Sequence, residues 1–290
     1  FRRVLFRSVF VPVMFNSVLF DDINKSAFDV LKDGYSFDQK ATMKTSRMGC
    51  NMSLEGKNFT SAFGGKFSVD FKPSKYFVAK KLSVDSNGAF VCDLDVPNLL
   101  KGTTLMLRSQ GSALDYSVAK ATVGLKYLSG RFASDVNFDT IAKKYTTCAV
   151  VSMGNFMVGG KVSGNDEGAY EVQEAAAYRY KSCVVSASCC EKHTVLNTAL
   201  FAAPYKNVLF GATCKLSLKD AVKPAIAFGV CIKPSLSNEV RVKVDAEGKL
   251  GMFYKQAVTD FITASVTGSV DFNNVLGGTH RMGFGLEIRV

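Results

Sequence analysis

Few side chains in this sequence could make or break bonds. There are two histidines, His193 and His280. Neither has a serine–acid or cysteine partner in an arrangement that would pair a nucleophile with its base. His193 lies in the polar stretch "CCEKHT" and His280 in the last turn-like segment, so both are expected on loops or at the surface. The eight cysteines, Cys50, Cys92, Cys148, Cys183, Cys189, Cys190, Cys214 and Cys231, form no C-x-x-C pair and no Cys/His cluster. No metal site is expected from them, and they read as small strand residues. The Gly-Gly pairs at 64–65 and 159–160 precede no helix and cannot cradle a phosphate. No enzyme and no cofactor is expected. What remains is electrostatic chemistry. Lys66, Lys72, Lys126, Lys161, Arg241, Lys243, Arg281 and Arg289 occupy the polar phase of alternating runs, and Lys25 and Lys32 lie on a helical segment. Cations gathered on one face raise the local concentration of anions; the plainer reading of each is a rim or loop residue.

The elements that must position these cations are strands. Phe67, Val69 and Phe71 alternate with Lys66, Ser68, Asp70 and Lys72. The same period of two recurs at Phe90–Asp95, Thr122–Tyr127, Asp135–Asp139, Val240–Asp245, Ile262–Asp271 and Arg281–Val290. Turn clusters rich in Gly, Asn and Asp separate the runs, at Asp85–Gly88, Ser163–Asp166, Ala246–Gly248, Asn273–Asn274 and Gly277–Gly278. Such residues accept the positive φ that tight turns need. After residue 37 there is no useful helical period, no linker and no composition shift, so about 250 residues remain for strands. At about 9–11 residues per tilted membrane strand plus a turn, that makes about 18–20 strands. A single strand of this kind suits a soluble sheet or a membrane barrel equally. The number of strands, with no helix to cover a large sheet, points to an all-β, closed transmembrane barrel. The net charge of +11 is spread thinly along the chain rather than set in a stripe, which argues against nucleic acid as a partner. No apolar run is long enough for a transmembrane helix, and a barrel needs none.

One segment departs from this rhythm. In residues 20–33, Phe20, Ile23, Ala27, Val30 and Leu31 fall on one helical face. Asp21 and Asp22 lie where a helix dipole favours negative charge, and Gly34 follows as a stop. Such a helix could cap a barrel end, lie on a membrane or sit inside a pore, and its own residues leave the three open.

The stretches "LFDDINKSAFDVLKDGYSF" (19–37) and "DFNNVLGGTHRMGFGLEIRV" (271–290), with "KLGMFYKQAV" (249–258) between them, resemble the mitochondrial porin family, the voltage-dependent anion channels. The resemblance implies a barrel of about 19 strands with the helix folded into the pore and the last strand parallel to the first. It implies a hinge at Gly34, Tyr35 and Ser36. It also implies an assembly signal for the outer-membrane barrel machinery at Arg281, Gly283, Leu286 and Ile288. The chain departs from the family at Ser36, in place of a second glycine, and at Asp33, in place of a lysine. By the same resemblance, residues 1–13 are an extension outside the native or ordered chain, 14–37 the helix and hinge, and 38–290 the barrel.

The function implied is a voltage-gated, anion-preferring diffusion pore for ATP, ADP, phosphate and chloride in the mitochondrial outer membrane. A protein-conducting translocase pore and a non-conducting scaffold are the alternatives; the positive balance speaks against the first. Expected partners are membrane lipid, the transported anions and nucleotides, and the assembly machinery, with self-association left open.

Overall fold

The computed structural model describes residues 18–290 except 60–61, 73–75, 114–118, 192, 220–222, 236, 275–276 and 279. The expected extension, 1–13, and residues 14–17 lie outside the described residues. A 3-10 turn (Phe20–Asp22) leads into helix α1 (Lys25–Lys32). Nineteen strands follow among the described residues: β1 (Gln39–Arg47), β2 (Cys50–Phe59), β3 (Ala62–Phe71), β4 (Val78–Asp85), β5 (Ala89–Pro97), β6 (Thr103–Ser112), β7 (Lys120–Leu128), β8 (Phe132–Asp139), β9 (Lys144–Met153), β10 (Phe156–Asn165), β11 (Tyr170–Tyr180), β12 (Cys183–Cys190), β13 (Val195–Tyr205), β14 (Val208–Ser217), β15 (Ala225–Ile232), β16 (Asn238–Asp245), β17 (Lys249–Ala257), β18 (Ile262–Asp271) and β19 (Arg281–Arg289).

Each strand pairs antiparallel with the next, and β1 closes the sheet by pairing parallel with β19, from Gln39 opposite Phe284 to Lys44 opposite Arg289. With an odd number of alternating strands, the first and last must run the same way. The parallel seam is therefore a consequence of the count. Closure leaves no row of unpaired N–H and C=O groups, which no hydrocarbon environment could satisfy. Several connections are two-residue turns, and positive φ at Gly49, Gly154 and Lys181 makes them tight.

The two phases of the strands face different surroundings. One phase carries Phe67, Leu125, Phe228, Met252 and Phe284, each 44–60% exposed. The opposite phase carries most of the Lys, Arg, Asp and Glu residues of the described strands, Glu174 and Arg47 being exceptions, and α1 packs against it. The apolar residues therefore cover the outside of the cylinder and the polar ones enclose its lumen. Two irregularities interrupt the register. An extra residue, Lys80, sits between Ala79 and Lys81 on β4, and β13 slips between Ala202 and Tyr205. The second places Pro204 at a bulge, where a missing N–H costs least.

The structure corrects one boundary. Ser163–Asn165, expected in a turn, continue β10 opposite Thr146, Tyr145 and Lys144, and the reversal comes only after them. The ring of Tyr145 lies across Gly164, occupying the space a side chain would need there. The glycine is thus held in the strand by its partner's aromatic ring.

Candidate functional site

The site is the lumen, with the N-terminal segment docked along its wall. All five residues of the predicted helical face are buried: Phe20, Ile23, Ala27, Val30 and Leu31. Their seat is a track of apolar side chains on the inner face. Phe20 and Ile23 pack among Ala133, Cys148, Val150, Met157, Ala175 and Ala177 on β8–β11. α1 itself lies against β13–β15. Inside a water-filled cylinder this burial is the driving force for docking, at about 1.5–3 kcal/mol for each large side chain fully covered.

Polar contacts fix the register of the segment along the track. Lys161 Nζ lies 2.8 Å from Asp21 Oδ1, and Asn24 donates to Ser188 Oγ at 3.2 Å. Arg241 donates to the Asp29 carbonyl at 2.6 Å while its second guanidinium nitrogen holds Glu239 at 2.6 Å. Thr267 donates to the Gly34 carbonyl at 3.3 Å. Asp21 is thus a strut to the barrel wall, and the helix dipole has no use for it: α1 begins only at Lys25, beyond Asn24. Burial is the main cause that pushes the Asp29 carboxyl above the usual carboxylate range, with Asp33 adding to it.

The hinge follows at once. Gly34 has φ +84°, and a Cβ there would lie 3.0 Å from the Phe253 ring, so both backbone and neighbour call for glycine. The Tyr35 ring stands 6.4 Å from that of Phe253 and carries Lys243 Nζ 4.6 Å above its centre. Beyond it the chain crosses Gly283 on its way to β1. A Cβ at Gly283 would run into the Ser36 carbonyl oxygen and lie 2.6 Å from Phe37 Cα. Gly283, placed in the assembly signal by resemblance, therefore has a packing reason of its own.

The remaining cations and the residues of the expected assembly signal are spread over the wall and its rims. Lys66 and Lys126 point into the lumen and have no ion-pair partner among the described residues. Lys25 pairs with Asp22 at 3.2 Å, and Lys32 lies over the Phe28 ring. Lys72 is one residue past β3, at the rim. Arg281 opens β19, and Arg289 near its end pairs with Glu287 at 3.1 Å. Leu286 and Ile288 face outward.

Sequence reasoning missed the charge lattice across the closing seam. Lys40 and Lys57 flank Glu55 at 2.6 and 3.1 Å, and Lys44 meets Glu287 at 3.0 Å. Lys40, Lys44, Glu55 and Glu287, with Lys255 and the hinge, line a cavity of about 470 Å³. The signal was present in Lys40, Thr42 and Lys44, the polar phase of the first strand.

Tyr35 gives a prediction here. Its hydroxyl is buried without a hydrogen-bond partner, and burial pushes its pKa from 10.0 to about 12. Tyr35→Phe should leave docking at neutral pH unchanged or about 1 kcal/mol stronger, since an unsatisfied buried group is removed. Below pH 10 the phenol is neutral in both the docked and undocked states, and docking keeps its full strength. Between 10 and about 12 only the undocked state loses its proton, so docking weakens as pH rises. The alkaline release of a probe on the segment should therefore shrink in Tyr35→Phe. Equal release in both proteins would contradict the assignment.

The eukaryotic porin family model matches residues 16–283. The voltage-dependent anion-selective channel of Drosophila melanogaster is 23% identical over 93% of this chain and 98% of its own length. The non-selective voltage-gated ion channel VDAC1 of Rattus norvegicus is 23% identical over 92% of this chain and 97% of its own. Among solved structures, a triple mutant of the Rhodopseudomonas blastica porin superposes with a TM-score of 0.51 at 10% identity, covering 80% of this chain and 96% of that one. That likeness is one of fold.

Proposed function

The chain belongs to the eukaryotic porin family, and from that premise we propose an anion-preferring diffusion pore of the mitochondrial outer membrane. Its solutes would be ATP, ADP, phosphate and chloride. A pore of this kind catalyses nothing; it lowers the barrier for solutes whose charge its wall attracts. The observation that carries the reading is the division of the wall into an outward apolar phase and an inward phase with lysines, such as Lys66 and Lys126, that have no ion-pair partner among the described residues. The relatives, a voltage-dependent anion-selective channel and a non-selective voltage-gated ion channel, support a channel. Closing under voltage is assigned to the docked segment, with Gly34 as its pivot. Lipid around the cylinder and the outer-membrane assembly machinery at Arg281, Gly283, Leu286 and Ile288 complete the proposed partners.

Release from vesicles tests the solute class. Purified full-length protein in liposomes should release trapped ATP faster than a cationic solute of similar size. Retention of ATP, or faster release of the cation, would reject the proposal.

A further inference from the structure

We propose that the outer face around Glu174 is a docking surface for a membrane-spanning helix with a lysine or arginine near its middle. Between its ends the outward phase of the described strands is otherwise apolar, small or uncharged. Among the described residues Glu174 is its one acidic side chain, and the one cation in this phase, Arg47, ends β1. Glu174 lies within β11, opposite Gly160 of β10 and Cys189 of β12, and is exposed. Tyr170 and Tyr178, on the same face of β11, stand four residues to either side, about 13 Å of strand each way. Aromatic residues of barrels gather at the two membrane interfaces, so Glu174 is near mid-depth. No hydrogen bond or ion pair engages it among the described residues. A charged group at that depth is costly, and such groups are found paired.

The surroundings point to the shape of the partner. Gly160 and Cys189 flank Glu174, Ala149 lies beyond Gly160, and Ala176 and Ala187 complete a shallow patch. Gly160 is not required by the barrel: a Cβ there would meet nothing nearer than the Gln173 carbonyl, at 3.9 Å. Glycine inside a strand weakens it, and what it offers in return is close approach by another backbone. A second copy does not suit the site. Related by a twofold axis, it would bring carboxylate against carboxylate, with no mid-depth outward cation among the described residues to pair them. A lipid headgroup amine does not suit it either, because it resides at the level of the tyrosines. A helix can bring a basic side chain to mid-depth and lie flat on small residues. The inference needs the outward face to meet lipid; it does not need the lumen to conduct.

The test uses full-length protein in liposomes with synthetic leucine-rich transmembrane peptides, one with a central lysine and one with leucine there. Energy transfer from labelled peptide to labelled barrel reports association. The lysine peptide should bind, and its affinity should fall about tenfold or more in Glu174→Gln and in Gly160→Leu, the leucine peptide binding none of them. Glu174→Gln only removes a charge from the lipid face, so its β-sheet circular dichroism and its protease resistance in liposomes should equal those of the parent, which shows that the barrel is formed. Equal binding of both peptides would overturn the proposal, as would lysine-peptide binding that Glu174→Gln leaves intact. A barrel–barrel dimer abolished by Glu174→Gln would overturn it in favour of a second copy.

Discussion

Gly211→Val unseats the helix. A Cβ at this position would lie 2.8 Å from the Ala27 carbonyl oxygen and 2.9 Å from Val30 Cβ, and one at Gly229 would lie 2.7 Å from Leu31 Cδ2. The first of these neighbours is backbone and cannot turn aside. The helix must lift away, uncovering Val30 and Leu31. Losing much of the burial of two large side chains costs about 2–4 kcal/mol, a shift in docking of roughly 30- to 1,000-fold. The readout is labelling of Ala27→Cys by a water-soluble maleimide, in a chain whose native cysteines are replaced by serine. Ala27 is buried against the wall when docked, so labelling should accelerate markedly in Gly211→Val, and voltage-dependent closing should change with it. Gly268→Val is the control, because a Cβ there meets nothing within 4 Å on the outer face. Slow labelling in Gly211→Val would show that the segment is held elsewhere.

The second large effect is on selectivity. Lys66 and Lys126 lie on β3 and β7, on the part of the wall that the docked segment leaves open. Reversing both, as Lys66→Glu with Lys126→Glu, changes the facing charge by four without touching the helix contacts. In a tenfold salt gradient the reversal potential should move toward cation preference by on the order of 10 mV. Lys161→Glu and Arg241→Glu should behave differently. Those cations hold Asp21 and the Asp29 carbonyl, so their loss should appear first as undocking. A double reversal at Lys66 and Lys126 that left the potential unmoved would place the selectivity elsewhere.

The contrast between these residues shows what a linear sequence can reveal. The outer face was legible because lipid imposes a strict period of two, as at Phe67, Val69 and Phe71 or Met282, Phe284 and Leu286. The helical face was legible for the same reason at another period, and chain length bounded the number of strands. The inner seat was not. Around Cys148–Val151 and Ala175–Ala177 both phases are apolar, one facing lipid and the other facing the helix, so alternation disappears where the lumen is occupied. Position along the barrel was equally hidden. Lys161 and Lys66 look alike in the chain, yet one is a strut and the other faces open water. Asp21 was expected to serve a helix dipole because Lys161, its partner, is 140 residues away in sequence. Ser163–Asn165 looked like a turn because the ring covering Gly164 comes from Tyr145 on the neighbouring strand.

The most direct test of the central claim, a wet basic channel inside a greasy cylinder, is planar-bilayer recording of the purified chain in a salt gradient. Stepwise, high-conductance openings are expected, with a reversal potential of the sign of anion preference. A protein that inserts without conducting, or whose open state prefers cations, would contradict it.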